Sequence, residues 1–527
     1  MKHLIDRREM LTIASTLGAS SALTSALPWN HASAAQPRRG GTLRVQMEVR
    51  PLKDPRLYDW SEIANLSRGW LEYLVRYRRD GVLIPQLLSS WEISQDARTY
   101  ILNIRKGVTW NNGQEFTALD VAHNLERWCD RSVQGNSMAG RVGTLADSLK
   151  DKSVSSVIEI VDKHQIRLNL DRPDIQLIAA MADYPAAIVH STFDPKKPEK
   201  SIGTGPYKLV EHKNGVRAVL ERNRDHRWWN EGNGAYVDRI EFIDYGVERT
   251  AILSAINSNE VDMVYETPPA EVRINRPKDW RISEVITAST LVARTNARTN
   301  VNGSPPYADR RVRQALAMAC DNAVITELGI EGLGFPAENH HVCPLHPEYA
   351  PLPPLKTDPF EAAKLLRSAN MQNFEHELTV IDDDWRQATA KAIAQELSSA
   401  NIPVKLKVLP GSQFWNDWAK YPFSCTNWNM RPLGVQIYAL AYRSGEAWNE
   451  SGFSNPEFDK LLEKALGVAD LKERQSLMKQ MQFILQQEAP IIQPYWRNLY
   501  RHFHKKVRNA AMHPMNELHV DEIWLAA

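Results

Sequence analysis

A short histidine-rich segment offers the densest group of potential metal ligands in the chain. It runs from Asn339 to His346 and reads NHHVCPLH, so that three imidazoles and one thiol fall within eight residues. Both groups bind zinc and other first-row transition metals. The spacing matches no common zinc pattern, and histidines in such a proline-rich segment also serve as hydrogen-bonding groups. We therefore expect no bound metal and no cofactor, and a ligand-contacting or surface role for these histidines.

A second group of residues, between positions 415 and 449, combines flat aromatic rings with a few polar side chains. This mixture suits a wet, adaptable binding cleft. Tryptophan is also highly buried on average, so we expect about half of the group to be structural. The members are Trp415, Trp418, Trp428, Asn429, Arg431, Tyr438, Tyr442, Trp448 and Asn449.

The common catalytic motifs are absent from the sequence. It contains no G-x-S-x-G, no H-E-x-x-H, no phosphate-binding G-x-x-x-x-G-K and no G-x-G-x-x-G that opens a helix. The charge is balanced, with 64 Lys and Arg against 63 Asp and Glu. Nucleic-acid binding draws on an excess of basic residues to neutralise phosphates. We predict a protein that is not an enzyme and does not bind nucleic acid.

The elements that position these groups are clearest between Ile84 and Trp128. Tyr100, Leu102 and Ile104 recur at every second position, which predicts a strand with one apolar face, and Lys106-Gly107 marks the turn that follows it. A helix should then begin after Thr117, because Thr117 can cap it and Asp120 lies in its first turn. At 527 residues, the chain exceeds what one hydrophobic core usually supports.

Further segments follow the same logic along the chain. Residues 42–47 alternate as a strand does, and three helices should begin after capping side chains, at Asp309, Asp358-Pro359 and Asn455-Pro456. The proline-rich tract from Pro336 to Pro354 predicts an ordered surface loop.

These segments, read together, closely resemble the periplasmic solute-binding proteins of peptide, nickel and opine-type ABC importers, the family-5 bacterial extracellular solute-binding proteins. The landmarks occur in the order that the family shows. They are residues 84–128, 202–209 with 218–223, Asn296 with 306–316, 358–366, and 454–459. The resemblance implies an exported binding protein that captures a peptide or peptide-like solute and delivers it to an inner-membrane ABC permease.

The resemblance also implies the architecture: an α/β periplasmic binding protein fold of two lobes joined by hinge strands, with an inserted sub-lobe. We expect lobe I to comprise residues 38–63, 205–291 and 495–527, the sub-lobe 64–204, and lobe II 292–494. Loops like the histidine-rich segment line the ligand cleft in the family. The ligand-contacting residues that we expect are Trp428, Asn429, Arg431, His341, Tyr442 and Trp448.

The tract from Cys425 to Pro432 departs from the family in one respect. Peptide-binding members carry an aspartate there that holds the N-terminal ammonium of the ligand, whereas Trp428 stands near that place here and Arg431 precedes the proline. A guanidinium suits a carboxylate or phosphate. An anionic sugar or opine-type conjugate, a metal chelate and, more distantly, a secreted hydrolase are therefore alternatives, while Glu446 or Asp417 could supply an ammonium anchor.

The N-terminus predicts export. Arg7-Arg8 precedes a mildly apolar stretch and the small residues Ala32-Ser33-Ala34, which indicates an export signal over residues 1–34, of twin-arginine rather than Sec type. We expect a periplasmic monomer. Its four cysteines, Cys129, Cys320, Cys343 and Cys425, are too few for a disulfide framework, although one or two bridges are compatible with the sequence.

Overall fold

The computed structural model describes residues 36–150, 152–246 and 249–526. The predicted export signal therefore lies outside the described residues. Two short 3-10 helices, Pro55–Leu57 and Pro198–Lys200, accompany the strands and α-helices given below.

Twenty strands are described, numbered here along the chain. They are β1 Thr42–Gln46, β2 Val75–Tyr77, β3 Leu83–Pro85, β4 Leu88–Ile93, β5 Thr99–Ile104, β6 Ile158–Asp162, β7 Gln165–Asn169, β8 Tyr207–Lys213, β9 Arg217–Arg222, β10 Arg239–Ile243, β11 Met263–Val264, β12 Trp280–Thr295, β13 Gly334–Pro336, β14 His376–Ile381, β15 Val404–Leu409, β16 Phe423–Trp428, β17 Ile491–Ile492, β18 Tyr495–His504, β19 Val507–Arg508 and β20 Trp524–Leu525.

Sixteen α-helices fall within the described ranges. They are α1 Ser61–Ser67, α2 Ala118–Cys129, α3 Met138–Arg141, α4 Gly143–Ser148, α5 Val154–Val157, α6 Leu177–Ala180, α7 Arg249–Asn257, α8 Pro269–Val272, α9 Arg310–Met318, α10 Asn322–Ile330, α11 Pro359–Ser368, α12 Asp384–Ser399, α13 Gly411–Phe414, α14 Gly434–Ala441, α15 Pro456–Leu466 and α16 Leu471–Glu488. None of these helices combines the length and the apolar character that crossing a membrane requires.

A 12-stranded mixed sheet runs through the molecule in the order β15-β14-β16-β12-β18-β11-β1-β10-β9-β8, with β13 and β17 paired to its centre. One end, β8 to β11 with β1, belongs to the lobe that we call the first. The other end, β14 to β16, belongs to the second lobe. The prediction of an α/β class is confirmed, and the predicted strand at 42–47 is β1.

Two long antiparallel strands, β12 and β18, join the ends of this sheet. Their pairing runs from Trp280 opposite His504 to Thr290 opposite Trp496, and β12 then pairs with β16 from Thr290 to Thr295. Each of the two strands thus contributes to both lobes. The chain crosses between the lobes along them, so relative motion of the lobes has to be absorbed there.

A separate four-stranded sheet, in the order β4-β5-β7-β6, packs with α2 to form a sub-lobe. Strand β5 alternates buried and half-buried residues as its sequence predicts. Helix α2 begins after Thr117, whose backbone N–H donates to Asp120 Oδ2 at 2.8 Å in a capping box. The predicted caps at Asp309, Asp358 and Asn455 are also present.

The prediction of a surface loop over Pro336 to Pro354 is wrong for the centre of that tract, where His340, His341 and His346 are buried. Irregular backbone can be buried only if its polar groups find partners. Side chains provide them here: the His341 N–H donates to Gln493 Oε1 at 2.9 Å, and the Ala350 N–H donates to Gln482 Oε1 at 3.2 Å. No local pattern around the histidines points to these distant glutamines.

The four cysteines form no disulfide with one another. All of them are free thiols, and Cys320, Cys343 and Cys425 are buried. They therefore behave as small apolar core residues, and burial raises the pKa of each of these thiols.

Candidate binding site

The cavity that lies between the lobes and the sub-lobe has a volume of about 430 Å³. We call it the first chamber. Its wall includes the start of α1, the end of β16 and the segment that follows, and parts of the sub-lobe near Gly135 and Tyr184. A second chamber of about 510 Å³ adjoins it and shares the side chains Glu62, Glu266, Arg386 and Arg497.

Five tryptophans form a continuous aromatic arc in the wall of the first chamber. The ring centroids are 5.7 Å apart for Trp428 and Trp448, 5.7 Å for Trp448 and Trp418, 6.4 Å for Trp418 and Trp415, and 4.9 Å for Trp415 and Trp60. The arc crosses from the second lobe to the first, because Trp60 immediately precedes α1. Its rings offer a ligand a large apolar surface, and because the rings are rigid, little conformational entropy is lost on binding.

Trp428 is held in place by buried residues that contact its ring. Its indole N–H donates to Glu450 Oε1 at 2.9 Å, and the other oxygen of Glu450 accepts from Arg294 Nε at 2.9 Å. His341 meets the Trp428 ring edge-on with centroids 5.5 Å apart. Since the indole N–H is already used, Trp428 presents a ring and no donor to the chamber.

Arg431 reaches the chamber as one member of a three-residue charge cluster. Its Nε lies 3.1 Å from Asp183 Oδ2, and Arg141 Nε lies 2.6 Å from the same oxygen. Burial alone would raise the pKa of the Asp183 carboxyl, but Arg431 and Arg141 together lower it to about 2. One carboxylate thus pairs with two guanidiniums, so the three side chains together carry a net positive charge.

The other cations of the first chamber are paired one to one. Arg497 Nη2 lies 2.6 Å from Glu266 Oε1, Lys53 Nζ lies 2.6 Å from Asp59 Oδ1, and Arg386 is bonded to Asp383. Glu62, in the first turn of α1, differs from these carboxylates. Among the described residues, no Lys, Arg or His nitrogen forms an ion pair with it, and Ser61 Oγ donates to Glu62 Oε2 at 3.4 Å.

The structure brings together four of the six residues expected from the sequence: Trp428, Asn429, Arg431 and Trp448 line the first chamber. The other two are not in its wall. His341 and Tyr442 lie in the core behind Trp428, where His341 Nδ1 and the Tyr442 hydroxyl are 2.9 Å apart. Burial lowers the pKa of His341 well below its usual value.

The carboxylates that could have supplied an ammonium anchor point elsewhere. Glu446 faces Arg443 at 3.7 Å, and Asp417 is exposed and paired with Lys420 at 2.7 Å; neither lines the chamber. The closest grouping of metal-type ligands among the described residues is also remote from the histidine-rich segment, at His513, Glu517 and His519. Arg68 lies 2.7 Å from Glu517 and so competes with a cation there.

Sequence reasoning missed the side chains that the first lobe and the hinge contribute. Trp60 and Glu62 come from one segment, and Glu266 and Arg497 from two others; Arg386, on α12 of the second lobe, was missed as well. None of these segments carries a local pattern that distinguishes it from an ordinary surface. Only the fold brings them together with the 428–448 segment.

A wider groove of about 830 Å³ lies on the second lobe, between α9, α11, α16 and the tract after β13. It is lined largely by apolar side chains and does not touch the sub-lobe. Solute sites of two-lobed proteins combine apolar surface with a few converging polar groups between domains. We therefore place the candidate site in the first chamber.

The chain is similar to known proteins over most of its length. The family model described as "Bacterial extracellular solute-binding proteins, family 5 Middle" matches residues 82–450. The chain is 24% identical over 490 residues to the dipeptide-binding protein DppE of Bacillus subtilis, covering 88% of this chain and 87% of that protein. It is 26% identical over 465 residues to heme-binding protein A of Haemophilus influenzae, covering 80% of each.

The fold is also found among solved structures. The periplasmic binding protein DppA from Helicobacter pylori, in complex with the peptide STSA, superposes with a TM-score of 0.80 at 22% identity. The match covers 93% of this chain and 98% of that one. It confirms the two-lobed periplasmic binding protein fold that the sequence predicted.

Proposed function

The chain belongs to family 5 of the bacterial extracellular solute-binding proteins, and from this premise we propose that it captures a short peptide or peptide-like solute between its lobes and delivers it to an ABC permease. Peptides are bound by several relatives, by their names, and the resemblance of the sequence points the same way. The proposal includes a periplasmic location and no catalytic activity. The mature protein would act as a monomer.

The first chamber supports a zwitterionic, partly apolar ligand. Its aromatic arc provides ring surface, the Arg141–Asp183–Arg431 cluster carries surplus positive charge, and Glu62 forms no ion pair with any described residue. Counter-charges at separate places in one enclosure match a molecule with an ammonium and a carboxylate. This pairing of features is the observation on which the proposal rests.

Among the side chains expected from the sequence, we assign ring stacking to Trp428 and Trp448, a polar contact to Asn429, and the ligand's carboxylate to Arg431. His341 and Tyr442 would act indirectly by holding Trp428 in place. A guanidinium that shares its counter-ion with a second arginine retains attraction for another anion. The proposal thereby keeps Arg431 as an anion-binding residue.

Capture would proceed by closure of the lobes about β12 and β18. The ligand contacts both lobes only when they are closed, so it shifts the equilibrium toward that form. The permease would then recognise the closed surface. Contacts that need both lobes, such as the arc from Trp428 to Trp60, form only in this state.

The proposed export route is the twin-arginine system. The test is the double substitution Arg7→Lys and Arg8→Lys, followed by measurement of the protein in the periplasmic fraction. Loss from the periplasm is expected, because the pathway recognises paired arginines. Normal amounts in the periplasm would mean a Sec signal.

Native mass spectrometry of protein purified from its own periplasm tests the function. A retained mass that matches a short peptide supports the proposal. A retained sugar conjugate, opine-type acid or metal chelate would replace it by one of those alternative ligands. Turnover of the retained compound on incubation would instead indicate a hydrolase built on this scaffold.

A further inference from the structure

Glu62 differs from the other charged groups around the two chambers. It lies where the chambers meet, half-buried in the first turn of α1. The tract from Cys425 to Pro432, which lines the first chamber, contains no acidic side chain. A ligand ammonium must therefore find its counter-charge elsewhere.

The neighbouring carboxylates are already occupied. Glu266 is 2.6 Å from Arg497, Glu48 is 2.6 Å from Arg50, and Glu271 is 3.0 Å from Arg276. Asp384 also faces the second chamber, but its side chain is exposed to solvent at the start of α12. Within the described ranges, Glu62 is the half-buried chamber carboxylate that forms no ion pair.

No described residue neutralises the charge of Glu62 through an ion pair, so a bound ligand could supply the cation. Burial raises the pKa of Glu62, Arg50 opposes this from beyond ion-pair distance, and Glu48 and Glu266 add to the rise. Partial burial strengthens the attraction between this carboxylate and an incoming cation, because the surroundings screen charge less than water does. A positive group on the ligand would provide that cation only in the bound state.

We propose that Glu62 binds the ammonium group of the solute, so that specificity for a free amine is carried by the first lobe instead of by the second. The inference rests on the proposed function and names the ligand class more closely: an amine-bearing zwitterion whose carboxylate faces Arg431. Because Glu62 and Arg431 belong to different lobes, the ligand itself links the lobes through its two charges. A ligand that lacks either charge loses one half of that link.

The test uses two probe mixtures and the full mature protein. One is an equimolar mixture of di- and tripeptides with free amino groups, and the other is the same mixture after N-acetylation. Native mass spectrometry identifies the retained peptides, and calorimetry then measures the best of them. Wild type should retain free-amine peptides and bind the acetylated form of the best peptide roughly 30-fold or more weakly, the loss expected when one partner of a buried charge pair is removed.

The variant Glu62→Gln should weaken binding of the free-amine peptide by a similar factor and should leave binding of its acetylated form almost unchanged. Asp417→Asn is the matched control, since it makes the same carboxylate-to-amide change outside the chambers, and it should bind as wild type does. Retention of free and acetylated peptides with equal affinity by wild type would overturn the role of Glu62 and leave peptide binding intact. Retention of neither mixture would overturn the proposed function itself. If Glu62→Gln does not fold, the wild-type comparison still tests the proposal, since equal affinity for the free and acetylated peptides would overturn it.

Discussion

Arg431 of the second lobe forms a buried ion pair with Asp183 of the sub-lobe, with 3.1 Å between Nε and Oδ2 and with both side chains 4% exposed or less. Arg141, which belongs to the sub-lobe, forms a second ion pair with the same oxygen. The residue that the sequence marked as a ligand-binding arginine is thus also part of the contact between two regions of the molecule. Both roles can be tested separately.

Removal of the shared carboxylate should be more damaging than removal of either arginine. Asp183→Asn leaves Arg141 and Arg431 buried without a counter-ion, which should lower the free energy of unfolding by about 3–5 kcal/mol. Arg431→Ala leaves Asp183 still paired with Arg141, so its loss should be smaller. Urea unfolding of the two variants measures the difference. If both variants lose the same free energy of unfolding, Arg141 alone does not stabilise the buried Asp183 carboxylate.

Arg431 should distinguish a ligand carboxylate from its amide. If the guanidinium meets the C-terminal carboxylate of a peptide, Arg431→Ala should weaken binding by about 2–5 kcal/mol, and Arg431→Lys should recover little, because a point charge cannot reproduce a bidentate fork. The C-terminally amidated peptide should bind the variants and the wild type about equally. Calorimetry measures all six affinities. An identical loss for the acid and the amide would assign Arg431 a purely structural role.

Trp448 should contribute to affinity through its ring. It lies between Trp428 and Trp418 in the arc, and the Arg141 guanidinium is 4.9 Å from its centroid. Trp448→Ala should weaken peptide binding by about 1–2 kcal/mol, and Trp448→Phe by less, because part of the ring surface remains. Trp91→Ala, on β4 and outside the chamber, is the matched control. If Trp448→Ala binds peptide as tightly as wild type does, the aromatic arc does not contribute to recognition.

Asp174 should make stability depend on pH. Burial raises the pKa of its carboxyl from 3.8 to about 6. The folded protein therefore binds this proton more tightly than the unfolded chain does. Below pH 3.8 the carboxyl is protonated in both states and hardly affects the free energy of unfolding. As the pH rises from 3.8 to about 6, the carboxyl lowers that free energy progressively. At pH 7 the cost is on the order of 3 kcal/mol. Asp174→Asn should therefore stabilise the protein relative to wild type at pH 7 more than at pH 4.5.

Chemical denaturation at the two pH values gives the comparison. The Asn variant retains an oxygen that can accept the Gln176 N–H, which Asp174 Oδ1 accepts at 3.0 Å. A stability difference that is the same at both pH values would contradict a raised pKa for this carboxyl.

Ligand binding should compact the molecule. The second lobe touches the sub-lobe directly, since the Ile175 N–H donates to the Leu466 carbonyl at 2.8 Å and Arg172 lies 3.1 Å from Glu463. If the ligand selects this closed arrangement, the radius of gyration should fall on addition of the retained peptide. Small-angle scattering with and without peptide measures it, and a radius unchanged at saturation would exclude closure.

Local sequence determined much of the fold. The alternation in β5, the Thr117–Asp120 capping box and the cap at Asn455 use residues only a few positions apart, so their physics is present in the sequence itself. The tract from Cys425 to Pro432 likewise identified Trp428 and Arg431 as candidates for the cavity wall. These inferences needed no knowledge of distant contacts.

Tertiary structure decided which charges are free, and therefore what the cavity can bind. The sequence shows Arg431 and cannot show that Asp183, 248 positions away, shares it with Arg141. It likewise cannot show that Gln493 and Gln482 allow the histidine-rich segment to be buried. The state of a charge or a backbone donor depends on partners that only folding brings within a few ångströms. For that reason, the lack of an ion pair between Glu62 and any described residue could be recognised only in the folded molecule.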